Sequence, residues 1–381
     1  MHVVVSKRDL LPVLDRCQGV ADKKSTMPVL GNVLLDVEGP NELRLAATDL
    51  FLAVRGKVPA KVEQGGSVAV GARDLLERVR NMPDGEIGIS TTATATTTIR
   101  AVGSARRFTL QGVPGEEFPS LPQPESGAKT SALEASTLGS LIAATHFSIS
   151  NDETRPHLAS ALFEWDGDRV RMVTTDGHRL SKMEATTKGK LVGTSILIPL
   201  KGVNELRRLC DEVAGKKGGD DSTPEIKISQ SGPNAFFELP GFQFSVKLLD
   251  AQFPPYQQVI PEQHAHSVRV PRTATAEALT AVSVAASDRT GGVKLSLSKG
   301  KLRFESESPE SGEGFDELVV DYGGPDLTVG FNARYFLDVL RAIVDDEVEI
   351  ALGGELDPAV IRPATSNPNA SYLAVIMPMR I

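Results

Sequence analysis

The chain has 381 residues, 24% charged and 40% hydrophobic, an ordinary composition for a globular protein, and its length allows two or three domains. The formal net charge of −8 argues, taken alone, against a nucleic-acid partner. No apolar run approaches the ~18 residues of a membrane span, and the two cysteines, Cys17 and Cys210, fall at helical apolar spacing, as buried thiols in a reducing cytoplasm would.

In chain order, residues 1–7 read as a first strand and not as a signal peptide, because no charged segment leads into a long apolar core. Residues 7–18 carry apolar side chains at helical spacing. A turn at 38–41 leads into the alternation Glu42-Leu43-Arg44-Leu45, which predicts a strand with one buried face. The short apolar strand 67–70 precedes a helix over 72–81, and Phe108-Thr109-Leu110 leads to Phe118-Pro119. A Pro/Gly/Ser-rich stretch, 119–129, is the first linker.

The same succession then returns. A helix is predicted over 135–147, alternating strands around 170–173, the apolar strand 196–199 and a helix over 201–213. A polar loop from Gly215 to Pro224 interrupts this part, and Phe244-Ser245-Val246 leads to Phe253-Pro254. After a Pro/His linker at 261–267 come a helix over 274–286, alternation at 301–305, a strand at 327–331 and a helix over 332–344. Thr48-Asp49 recurs 127 residues on as Thr175-Asp176, and Leu43 and Leu45 recur as Val170 and Met172. Three copies of one unit predict a curved scaffold built by repetition.

Positive charge gathers on the second helix of each copy: Arg73, Arg78 and Arg80; Lys201, Arg207 and Arg208, followed by Lys216 and Lys217; Arg334 and Arg341. Lys23 and Lys24 follow the first helix. Helices lining the concave side would make a basic interior inside an acidic protein. Dispersed cations of this kind give weak, salt-sensitive attraction to phosphate.

The repeat, the segment Thr174-Thr175-Asp176-Gly177-His178-Arg179-Leu180 and the terminus Met377-Pro378-Met379-Arg380-Ile381 together resemble the bacterial DNA polymerase III beta subunit, the sliding clamp family. Further matching blocks are Pro28–Asn32, Lys201–Leu206 and Gly330–Tyr335, so the likeness runs the full length. The resemblance implies an α+β fold of three tandem similar domains, each with two helices and antiparallel sheets, over residues 1–126, 127–263 and 264–381. Two copies would close head to tail into a dimeric ring around duplex DNA. It implies a cytoplasmic, non-catalytic processivity factor with no cofactor. The partners implied are the DNA polymerase III alpha subunit, a clamp loader and other proteins bearing a short clamp-binding motif.

Carried over by motif, the peptide cleft uses Leu158, Thr175, Gly177, His178, Arg179, Leu180, Pro254 and Val259, with Asn332, Tyr335, Leu356, Pro358, Val375, Met377, Pro378, Met379 and Arg380. The DNA-facing residues are Lys24, Arg73, Arg80, His157, Lys201 and Arg208. Ring closure falls to Phe108 and Leu110 meeting Val284 and Ala285 of the second copy. Departures from the family pattern include Gln258, where Arg is common, Arg155-Pro156-His157 in place of two aromatics, and the small Ala285.

Other readings compete. Asp176 and His178 suggest a hydrolase dyad, but no G-x-S-x-G motif accompanies them, and Thr48-Asp49 lacks the His and Arg, so Thr-Asp reads as a turn cap. His264 and His266 lack a third metal ligand, Trp165 reads as wall packing, and Gly291-Gly292 and Gly353-Gly354 read as turns. A tandem-repeat scaffold with no DNA role is the rival class, and it would be monomeric.

Overall fold

The computed structural model describes residues 1–37, 39–187, 195–214, 224–287 and 291–380; Glu38, the polar loop with Lys216 and Lys217, and the terminal Ile381 lie outside the described residues. The first third runs β1 (His2–Ser6), α1 (Lys7–Val20), β2 (Asn32–Val37), β3 (Glu42–Thr48), β4 (Leu52–Gln64), β5 (Gly66–Gly71), α2 (Ala72–Arg80), β6 (Glu86–Thr91), β7 (Thr96–Ala101) and β8 (Arg107–Pro114). The second runs β9 (Thr130–Glu134), α3 (Ala135–Thr145), β10 (Ser160–Asp166), β11 (Arg169–Thr175), β12 (Arg179–Thr186), β13 (Ser195–Pro199), α4 (Leu200–Ala214), β14 (Glu225–Ser231), β15 (Asn234–Leu239) and β16 (Phe242–Lys247). The third runs β17 (His266–Pro271), α5 (Arg272–Ser283), β18 (Gly292–Ser298), β19 (Lys301–Ser308), β20 (Gly312–Val319), β21 (Leu327–Asn332), α6 (Ala333–Ala342), β22 (Glu347–Leu352), β23 (Ala359–Pro363) and β24 (Ala370–Ile376). Among the described residues each third holds eight strands and two α-helices in the same order, so the repeat read from the sequence is a repeat of structure.

Local chemistry sets these elements. In β1 the odd residues Val3 and Val5 are buried, and in β2 Val33, Leu35 and Val37, the period of two that a half-buried strand requires. Helix α1 tolerates Pro12, which forfeits one backbone bond, because Leu10, Val13, Leu14, Cys17 and Val20 are buried along one stripe. Helices α2 and α6 bury matching stripes, Leu75-Leu76-Val79 and Phe336-Val339-Leu340. Full burial of each such side chain stabilises by roughly 1.5–3 kcal/mol. The second linker is shorter than expected, because His266 already belongs to β17, where its Nδ1 pairs with the Tyr322 hydroxyl.

Within every third, the first, sixth, seventh and eighth strands pair as one group and the fifth, second, third and fourth as another. The thirds are joined by one rule: the fourth strand of a copy pairs antiparallel with the eighth strand of the next. Thus β4 pairs with β16, with Leu52 opposite Val246, and β12 pairs with β24, with Arg179 opposite Ile376. The ladders fuse into sheets of twelve, eight and four strands. Two compact units result: Met1–Ser136 with Arg208–Leu248, which holds the twelve-stranded sheet, and Thr137–Arg207 with Leu249–Ile381, which holds the other two. The middle third is divided between them because its two strand groups each continue a neighbour's sheet.

Candidate functional site

In the second unit, the turn from β11 to β12 is built by side chains. Thr175 Oγ1 donates to the Arg179 carbonyl at 2.6 Å and accepts from Gly177 N–H at 3.1 Å. Asp176 Oδ1 accepts from the backbone N–H groups of His178 (2.9 Å) and Arg179 (3.0 Å). Gly177 takes φ +92°, which a side chain disfavours. The first third builds the same turn: Thr48 Oγ1 donates to the Leu52 carbonyl at 2.7 Å, and Asp49 Oδ1 accepts from Phe51 and Leu52 N–H. Thr-Asp is therefore a structural device of the repeat. Asp176 Oδ2 receives Arg179 Nε at 3.0 Å, so both oxygens are occupied and neither orients His178.

Arg179 locks the turn in place. It is 8% exposed, and its guanidinium also donates to Asp338 Oδ2 at 2.7 Å and to the Phe147 carbonyl. Its face lies 4.5 Å from the Tyr335 ring centroid, within cation–π range. Burial, then the nearby Asp176 charge, raises the pKa of the Tyr335 phenol. Exposed His178 and Gly177 border the resulting surface.

The terminal segment runs beside this turn. Met377 N–H donates to the His178 carbonyl at 2.9 Å, and Met379 N–H to the Gly330 carbonyl at 2.8 Å. Met377, Pro378 and Met379 are half-buried and Arg380 is exposed. Asn332 caps α6 by accepting from Arg334 N–H, which fixes the helix carrying Tyr335 and Asp338. Leu180 and Val375, paired across β12 and β24, join Val173, Val360 and Tyr256 in one apolar cluster, with Phe253 and Val259 of the linker packed on it. Pro254 is half-buried beside Phe253. Leu356 is 70% exposed on a turn held by Asp357, and Pro358 enters β23 next to it. Leu158 is buried and donates its N–H to the Arg155 carbonyl; its loop reaches the turn through Arg155, whose Nη1 would lie 3.7 Å from a Cβ at Gly177. The structure thus gathers Thr175, Gly177, His178, Arg179, Leu180, Tyr335, Val375, Met377 and Met379 through hydrogen bonds and packing, while Leu158, Leu356 and Pro358 sit on its borders.

The cationic residues are less free than the sequence suggested. Arg73 pairs with Glu77 at 2.8 Å, Arg78 with Asp74 at 3.5 Å and Arg80 with Asp15. Arg207 meets the ring of His146, and Lys201 and Arg208 are engaged as well. Lys24 is exposed on the loop after α1 and His157 is half-buried. Lys24, Arg73, Arg80 and Arg208 belong to the first unit, Lys201 and His157 to the second.

Two strands lack the partner that the joining rule supplies elsewhere. β8 pairs with β7 along Arg107–Gln111 but with β5 only over Gly112–Pro114, leaving one edge of Phe108–Leu110 open among the described residues. Among the described residues β20 pairs with β19 alone, and its Phe315 and Val319 are 61% and 87% exposed. Val284, just past α5, is 79% exposed, but Ala285 is buried within its own chain, so only the valine presents its side chain outward.

Family models of the DNA polymerase III beta subunit match nearly all of the chain: the N-terminal domain over residues 1–122, the central domain over 132–255 and the C-terminal domain over 257–380. The chain belongs to the DNA polymerase III beta subunit family. A beta sliding clamp from Pseudomonas putida is 32% identical over 383 residues, covering 100% of both chains. The DNA polymerase III subunit beta structure from Pseudomonas aeruginosa matches with a TM-score of 0.90 at 31% identity over 100% of both chains. A sliding clamp from Bartonella birtlesii bound to griselimycin matches at 0.91 and 33%, again over the full length of each.

Two residues of this family member that sequence reasoning missed are Asp338 and Phe147. Asp338 sits one turn after Tyr335 on α6, a helical spacing that could have flagged it. Phe147 contributes a carbonyl, which no residue type reveals.

Proposed function

We propose that this chain is a DNA sliding clamp of three domains, residues 1–126, 127–263 and 264–381, acting in the cytoplasm. Two copies close head to tail around duplex DNA and tether the replicative polymerase. The observation that carries the closure is the pair of unmatched strands. Wherever a next copy exists in the chain, a fourth strand takes the eighth strand of that copy; β20 has no successor and β8 no predecessor. Pairing β20 and Val284 of one subunit with β8, Phe108 and Leu110 of the other satisfies both of these edges by the same rule. Ala285 supports this contact from beneath, with Gly314 of β20 built close against it.

Enclosure makes affinity unnecessary. Lys24, Arg73, Arg80, His157, Lys201 and Arg208 give dispersed, sequence-blind phosphate contacts on which the ring slides. The cleft around Arg179, Tyr335 and Met377 takes a short linear motif with a Gln anchor and apolar C-terminal residues. Its half-buried methionines supply an adaptable floor. The occupants are the alpha subunit of DNA polymerase III, the clamp loader and other motif-bearing proteins, and tethering raises the polymerase's effective concentration at the primer end. No catalytic group is needed, and Asp176, whose oxygens are spent on the turn, supports a non-enzymatic role.

The test is sedimentation equilibrium over a dilution series. The wild type is expected at twice 40.7 kDa, and Val284→Asp, at an exposed position, as a folded monomer. On nicked circular DNA the loaded wild type stays bound until the circle is cut. A wild type that is monomeric at every concentration, or a dimer indifferent to Val284→Asp, overturns the ring and favours the monomeric scaffold.

A further inference from the structure

The first unit holds a cavity of about 670 Å³ beneath the linker that follows β8, and the proposed clamp function does not use it. Its origin is visible in the repeat. In the second third, the linker places Tyr256 over the sheet, where its hydroxyl donates to Glu164 Oε2 at 2.9 Å and accepts from Arg171 Nη1 at 3.4 Å. Strand for strand, Glu164 on β10 and Arg171 on β11 correspond to Asp36 on β2 and Arg44 on β3. The linker motif Phe253-Pro254 with Tyr256 corresponds to Phe118-Pro119 with Leu121. Leu121 therefore stands where the second copy has a phenol.

The rest of the lining is cut back in the same sense. Val173 of the second copy becomes Ala46. Leu373, opposite Lys182, becomes Gln243, opposite Arg55. A smaller and more polar set of side chains leaves room for a group the size of an aromatic ring, within the usual range of ligand pockets of roughly 300–1,000 Å³.

Three cations line this space. Arg44 and Lys57 share Glu42, at 3.1 and 3.2 Å. Arg55 differs. It is half-buried, and its partner is a neutral one: Nη2 donates to the Leu121 carbonyl at 2.8 Å. Burial lowers its pKa, the mark of a guanidinium short of solvation. Of the acids in the lining, Glu238 is exposed near the β15–β16 turn and Asp36 is already engaged.

We infer that this cavity binds a small aryl carboxylate, its ring in the position vacated by the tyrosine, over Ala46 and Leu121, and its carboxylate paired with Arg55. A carboxylate gains a charge-assisted, bidentate contact that a neutral amide of the same shape lacks. The inference does not depend on ring closure or on peptide binding.

The experiment is methyl NMR on the intact protein, titrated with 4-phenylbutyrate and, separately, with 4-phenylbutanamide. Saturable shifts are expected at the Ala46 and Leu121 methyls, with the acid binding about tenfold more tightly than the amide. Arg55→Gln should equalise the two probes, and Ala46→Leu should abolish binding of both by filling the cavity. If Ala46→Leu fails to fold, the Arg55→Gln comparison decides alone. Absence of saturable shifts at these methyls, equal binding of acid and amide by the wild type, or a preference that survives Arg55→Gln overturns the inference.

Discussion

Arg179→Met is the most informative perturbation of the cleft. The guanidinium is 8% exposed and joins Asp176, Asp338 and the Phe147 carbonyl while lying over Tyr335. Breaking a buried ion pair by removing one partner costs about 3–5 kcal/mol. The lower end applies here, because Asp176 keeps two backbone donors and Asp338 keeps Arg341 at 3.6 Å. Asp338→Asn leaves an oxygen to accept from Arg179 and should cost about 1 kcal/mol. The double variant Arg179→Met/Asp338→Leu removes both charges and should recover part of the loss. A chain of two compact units does not unfold in one step, so the readout is hydrogen exchange at the His178 and Arg179 amides, both bound to Asp176. A loss of about 3 kcal/mol accelerates that exchange roughly a hundredfold. Binding of a labelled peptide with a Gln anchor and apolar C-terminal residues, read by fluorescence anisotropy, should weaken with it. Exchange in Arg179→Met at the wild-type rate, or an equal effect from Asp338→Asn, would refute the idea that this one buried cation holds the turn.

Two further outcomes follow from local geometry. Burial first, and then Arg207, depress the pKa of His146, whose ring nitrogens face the Ile142 carbonyl and the Arg207 guanidinium. Below its ordinary value of about 6.5 the unfolded chain binds a proton that the folded chain refuses, so stability is full above that pH and is lost as pH falls toward the depressed value. Thermal melting against pH should show this acid-side decline, and His146→Gln should flatten it. Leu50 is held at φ +75°, where the equivalent turn has Gly177. Leu50→Gly should raise the melting temperature by relieving about 1 kcal/mol of backbone strain, since the leucine is 51% exposed and gives up little packing, whereas Gly177→Leu should lower it.

The helices were legible in the sequence to within a few residues because each buries a continuous 3.6-residue stripe, as Leu75, Leu76 and Val79 do on α2. The Thr-Asp turn was legible because it occurs twice. The pairing of β4 with β16 and of β12 with β24 was not, since any two alternating strands have the same pattern and only the finished sheet selects partners. Nor was the lock on Arg179, which depends on a carbonyl at 147 and a carboxylate at 338 that are distant along the chain. That Arg73, Arg78 and Arg80 are each paired was only partly legible: Glu77 and Asp74 lie on the same helix, but Asp15 lies on another.

Those pairs bear on how a protein of net charge −8 can run along DNA. An exposed ion pair is worth about 0–1 kcal/mol, so in the proposed ring Arg73 would leave Glu77 for a phosphate and return at almost no cost in either direction. Each contact is then nearly neutral and weakens with salt, and no position along the duplex becomes a trap. Arg179 has the same side chain and the opposite behaviour, because burial makes the loss of its carboxylates expensive. Burial, not residue type, thus separates cations that can trade partners from one that must hold the turn before β12 still.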